Sequence, residues 1–168
     1  MRRSSDVRRT ALPGRDILKR RRFLTVMTII TLCLIWGHSA VGREGSAAES
    51  GWLFEHLGGL LRLFFGPERA TEHLLRKLAH FTEFMLLGAE TLLLSREYGK
   101  RGARAALTML MCCNLCAFFD ETIQIFSGRG PDVRDIWIDT FGAAAGILLA
   151  LALAAVRDRL SENRKGKA

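Results

Sequence analysis

Long apolar runs alternate with short basic connectors along this chain, and that alternation excludes most soluble folds. The runs cover residues 23–41, 74–94, 105–126 and 136–156. About 20 helical residues cross a hydrocarbon slab about 30 Å thick, so each run is long enough to span. Lipid offers backbone amides no partner outside the segment, which makes each span helical. The expected fold is therefore all-α: an integral membrane bundle of about four transmembrane helices, with a short interfacial or re-entrant helix. The length of 168 residues suits one domain.

The connectors refine this plan. Residues 1–22 are polar and basic, ending in Lys19-Arg20-Arg21-Arg22. They are expected to be disordered or to lie along anionic headgroups. Residues 23–41 form the first span. A cleaved signal peptide is the rival reading, since a basic stretch precedes the run and Ala40-Val41-Gly42 suits cleavage. The length of that stretch and the late polar break favour a retained anchor. Residues 42–73 read as an extracytoplasmic loop: Gly, Ser, Ala and Glu over 42–50, then a short apolar helix from Gly51 to Phe65, stopped by Gly66-Pro67. Trp52 and Phe54 beside Glu55, His56 and Arg62 suit a surface anchor rather than a lid. Residues 74–156 hold spans two to four, and residues 157–168 form a basic tail.

Lysine and arginine counts orient the chain, because cytoplasmic connectors carry the excess. Residues 1–22 hold nine, the 95–104 connector four and the tail five, eighteen on one side. The 42–73 and 127–135 segments hold three and two. Both termini are accordingly expected in the cytoplasm, in a multi-pass protein of the cell membrane. The net charge of +8 sits at the ends of apolar segments, a distribution that argues against nucleic acid as a partner. Cys33, Cys112, Cys113 and Cys116 all lie inside apolar runs, where a disulfide framework is not expected. Cys113-x-x-Cys116 reads as soft packing; with no His or Cys pair at ligand spacing elsewhere, no metal is expected.

Ionisable groups inside a span cost several kcal/mol or so and need a reason. In the second span Arg76, His80, Glu83, Leu87 and Glu90 share one helical face, with Lys77 beside it; Leu86, Leu92 and Leu93 point away toward lipid. In the third, Asn114, Ala117, Glu121 and Gln124 share a face with Asp120 at its shoulder. In the fourth, Asp135, Asp139, Gly142 and Gly146 share a face. Placed by depth at 1.5 Å per residue, His80, Glu83, Asp120, Glu121, Gln124, Asp135 and Asp139 fall in one layer on the outer side, with Glu90 the exception. One or two such pairs suffice to glue helices together; a layer this crowded reads as a site. Gly142-x-x-x-Gly146, continued by Ala150, reads as a small face for close packing.

The segment Arg76-Lys77-Leu-Ala-His80-Phe81-Thr-Glu83-Phe84-Met-Leu-Leu87-Gly88 resembles the first motif of the VanZ-like family of membrane proteins. The stretch from Asp120-Glu121-Thr-Ile-Gln124 to Gly128-Arg129, followed by Val133-Arg134-Asp135-Ile-Trp-Ile-Asp139 and Gly142 to Gly146, resembles the second. The resemblance covers about residues 70 to 155 and keeps the order and spacing of both blocks. It implies a compact helical membrane fold and, for the member that names the family, reduced susceptibility to teicoplanin-type glycopeptides. It brings no agreed reaction with it. Carried over by position are Arg76, Lys77, His80, Glu83, Asp120, Glu121, Gln124, Arg129, Asp135 and Asp139. Phe84 departs from the pattern, in which tyrosine is frequent.

Three functions fit. In the first, Arg129, Lys77 and Arg76 hold the anionic headgroup of an envelope lipid or lipid-linked precursor. His80 or Glu83 then serves as general base, and Asp120 or Glu121 as second acid or cation ligand. Gln124, Asp135 and Asp139 complete the binding set. No nucleophile or phosphate-loop motif appears, so enzyme status stays open and no cofactor is named. In the second, the same pocket binds without catalysis. The third is a small proton-coupled transporter, for which four helices make a thin wall unless the chain forms oligomers.

Overall fold

The computed structural model describes residues 13–128 and 132–165, and among these every regular element is a helix. In chain order they are α1 (Pro13–Ala40), α2 (Arg43–Phe65), α3 (Glu72–Glu97), α4 (Ala103–Phe126) and α5 (Val133–Lys165). Their ends follow local chemistry. Proline at the start of α1 has no N–H to leave orphaned, and Asp16 in the first turn favours the helix dipole. Thr71 caps α3 by accepting from the Leu74 N–H at 3.1 Å. The left-handed backbone at Gly66 (φ 81°) ends α2 immediately before Pro67.

Three helices are long and apolar enough to cross a membrane: the spans are Arg15–Ala40, Ala103–Phe126 and Val133–Leu160. With 26 residues α3 matches them in length, but its charged stripe keeps it out of that group. It is nonetheless the hub, packed against α5, α1, α4 and α2. The central core joins Ile35, Phe84, Leu87, Cys113, Ala117 and Ala143, which places Cys113 as a packing residue. Outward faces carry Leu86, Leu107, Met111, Leu115, Phe118, Trp137, Phe141 and Leu148, all exposed as lipid-facing side chains are.

The small face of α5 behaves as its sequence suggests. A Cβ on Gly142 would run into the Phe81 carbonyl, one on Gly146 into that of Met85, and one on Gly88 into that of Ala143. The α3 and α5 backbones thus touch, an approach that only small residues permit.

Three expectations are corrected. Residues 43–50, read as loop, form the opening turns of α2: Glu44, Ala47, Ala48 and Glu49 are helix-compatible, and Ser46 and Ser50 turn one buried face inward. Residues 13–22, read as disordered or surface-bound, already belong to α1, where Arg21 donates to the Glu97 carbonyl at 2.6 Å and stacks on Tyr98; residues 1–12 lie outside the described residues. Leu92, read as lipid-facing, is buried against Ile147 and Ala150, because it lies one turn beyond Gly88 on the side that meets α5. The basic tail, for which the sequence set no conformation, continues α5 as a helix to Lys165.

Candidate functional site

The polar groups collect at one end of the bundle, where α1 and α4 end and α3 and α5 begin. Helix geometry brings His80 of α3 one turn below Arg76, and Asp139 of α5 one turn below Asp135. Asp120 enters from α4. Ligand-type atoms of His80, Asp120 and Asp139 lie within 4.8 Å of one another, on three separate helices.

Asp120 is fully buried and held from both sides. Ser39 donates to its Oδ1 at 2.6 Å and Gln124 to its Oδ2 at 2.8 Å. His80 Nδ1 stands 3.8 Å from Asp120 Oδ2 and 4.0 Å from Glu83 Oε2, both beyond hydrogen-bond reach. Asp139 is 1% exposed, and among the described residues neither of its carboxylate oxygens has a hydrogen-bond partner. Asp120 therefore faces the cluster directly, while Glu121 turns aside. Its Oε2 accepts from the Asp132 N–H at 3.2 Å, which ties the α4–α5 connection to α4.

Above this cluster, Lys77 pairs with Asp135 at 2.5 Å and with Asp132 at 3.7 Å. Asp132 also accepts from the Arg134 N–H at 2.9 Å. That donor, with the charges of Lys77 and Arg134, holds the Asp132 carboxyl below the usual carboxylate range. To the side, His38 Nδ1 meets Glu83 Oε1 at 2.9 Å. A cavity of about 590 Å³ opens there between α2 and α3, with His38, Ser50, Trp52, Arg76, His80 and Glu83 in its wall. Among the described residues the buried Arg76 Nε atom has no hydrogen-bond partner.

Of the residues picked from sequence, His80, Asp120, Gln124 and Asp139 meet directly, and Glu83 and Arg76 join them through the cavity wall. Lys77 and Asp135 instead tie α3 to α5, and Glu121 ties α4 to the α4–α5 connection. Arg129 lies outside the described residues. Sequence reasoning missed His38 and Ser39, because the first run reads as a plain anchor. Their signal was present: two polar side chains at the depth of the charged layer, closing an otherwise apolar helix.

The other end is basic and carries its own ties. Arg20 pairs with Glu97 at 3.2 Å and Arg96 with Asp158 at 3.6 Å. Midway between the two ends Thr31 donates to Glu90 at 3.2 Å, and Asn114 donates to Thr140 at 2.7 Å. These isolated pairs join α1 to α3 and α4 to α5, as interhelical glue does.

Neither a curated protein nor a solved structure matches the chain. A protein-family comparison does: the VanZ/LLP1 family matches residues 23–154, which takes in α1 as well as the two motif blocks. With most of its length matched and its helices long and apolar enough to span, this chain is a membrane protein of the VanZ/LLP1 family.

Proposed function

We propose that the chain handles an anionic envelope lipid or lipid-linked precursor at the extracytoplasmic face of the cell membrane, holding its headgroup in the cavity between α2 and α3. The observation that carries this reading is Arg76. A guanidinium nitrogen buried without a partner is costly, and the cavity it borders leaves room for a phosphate to supply the missing acceptor. Trp52, Leu53 and Leu75 in the same wall suit the apolar part of a lipid. The eighteen-to-five lysine and arginine bias supports placing this end outside and both termini inside. The buried Ser39–Asp120 and Thr31–Glu90 bonds favour retention of α1, since its cleavage would strip Asp120 of one of its two donors and Glu90 of its Thr31 donor. The setting we propose for this activity is cell-envelope homeostasis, or a glycopeptide response of the teicoplanin type, a reading that family membership supports.

The apolar core argues against the transporter reading for a single chain. Ile35, Phe84, Leu87, Cys113 and Ala143 fill the bundle between the charged layer and the Thr31–Glu90 pair, and leave no polar route through it.

The test uses the full chain in nanodiscs with EDTA present, titrated with a short-chain polyprenyl diphosphate and, separately, with phosphatidylglycerol. Saturable binding that falls at least about tenfold in Arg76→Ala supports headgroup capture. Equal binding by wild type and Arg76→Ala overturns it. Product formed from the bound lipid would assign catalysis; binding without turnover assigns an accessory role.

A further inference from the structure

We infer that His80, Asp120 and Asp139 form a binding site for one divalent transition-metal cation, set at the inner end of the cavity. The inference begins with Asp139. A carboxylate 1% exposed, with no hydrogen-bond partner at either oxygen, lacks the compensation that buried polar groups require. A buried nitrogen in the same position, His80 Nδ1, also has no hydrogen-bond partner. The two unsatisfied groups are close together: with Asp120 their ligand atoms fall within 4.8 Å of one another.

Charge points the same way. Asp120 and Asp139 are both buried, and the fields of Asp135, Glu121 and Glu83 add to that of Asp120 at Asp139. Among the described residues Lys77 is engaged with Asp135 and Asp132 and the His38 ring with Glu83, and no ion pair reaches Asp139. One divalent ion would neutralise the two central carboxylates and give His80 Nδ1 a partner at once.

The surroundings have the form of a metal site's outer layer. Ser39 and Gln124 fix the Asp120 carboxylate by one hydrogen bond to each oxygen, and lone pairs remain for an ion. One imidazole and two carboxylates from three helices leave coordination positions open, a donor set that suits zinc or manganese. His80 also borders the cavity, so a further ligand can arrive from there. The identification of that ligand as a lipid phosphate rests on the headgroup reading; the three protein ligands do not. The sequence offered Asp120 as a cation ligand but pointed to no metal, because ligand spacing is sought close together along the chain and these three residues come from three different spans.

The experiment takes the full chain purified in detergent, strips it with EDTA, and titrates it with Mn²⁺ and Zn²⁺, measuring retained metal by mass spectrometry after desalting. About one equivalent per chain is expected, with affinity at least about tenfold weaker in Asp139→Asn. For the Mn²⁺ form, pulsed electron paramagnetic resonance should show coupling to an imidazole nitrogen in wild type and none in His80→Gln. A wild-type chain that retains no metal, or metal bound without that coupling, overturns the site. So does an Asp139→Asn protein that folds and binds as wild type does. If Asp139→Asn does not fold, the coupling and its loss in His80→Gln decide. Because headgroup binding is assayed in EDTA, failure of either inference leaves the other standing.

Discussion

Ser39 donates to Asp120 across 2.6 Å, joining the last turn of α1 to the last turns of α4 with both side chains fully buried. The bond makes α1 part of the charged layer. Interhelical hydrogen bonds in membranes are worth about 0.6 kcal/mol on average and reach about 1.7 kcal/mol. Ser39→Ala is expected near the upper figure, since it leaves a buried carboxylate with one donor. Thermal unfolding in detergent measures this, and Ser39→Thr, which keeps a hydroxyl, should recover part of the loss.

Close packing of α3 on α5 is tested at Gly146. A valine there must push its side chain into the Met85 carbonyl, backbone that has no way to yield locally. Overpacking of this kind costs about 1–3 kcal/mol or more, so Gly146→Val should lower the unfolding midpoint markedly. Gly37 in α1 has nothing within 4 Å of an added Cβ. Gly37→Ala should therefore be neutral or raise stability by up to about 1 kcal/mol.

The Asp132 carboxyl gives the fold a predictable acid response. Its folded value lies below the ordinary 3.8, with the Arg134 N–H the leading cause. A depressed carboxylate stabilises the folded state fully above the unfolded value, and the contribution is lost as pH falls through the folded one. Asp132→Asn should therefore be less stable than wild type near neutral pH, with the gap closing as pH falls below the ordinary carboxylate range. A gap that widens on acidification would contradict the assignment.

Topology follows from labelling. In a cysteine-free background, Glu68→Cys in the α2–α3 turn should react with a membrane-impermeant maleimide in intact cells. Lys100→Cys in the α3–α4 turn should react only after permeabilisation. Both positions are exposed. The reverse pattern would place the cavity on the cytoplasmic side.

The helical bundle and most of its polar layer were legible because both rest on local periodicity. Apolar runs of spanning length fix the helices, and i, i+4 followed by i, i+3 spacing puts Arg76, His80 and Glu83 on one face. Gly142 and Gly146 announced their contact in the same way. What periodicity does not specify is rotation about each helix axis against its neighbours. Asp120 was set at the shoulder and proves central, and Leu92 was turned to lipid and proves buried, because α5 approaches from that side. His38 and Ser39 were passed over for a related reason. An apolar run advertises its lipid contact, whereas the side chains it lends to a partner appear only once the partner is in place.

The backbone contact between α3 and α5 has a mechanical consequence. Helices that touch at Gly88, Gly142 and Gly146 have no side-chain layer between them to slide or compress, so the pair behaves as one stiff plate. His80 and Asp139 are mounted on that plate, and their mutual spacing is set by it. Asp120, on α4, is linked to His80 and Asp139 by side chains alone. Any adjustment of the layer to an occupant of different radius then falls to α4 and to the α1 segment hydrogen-bonded to it, which move against a fixed reference.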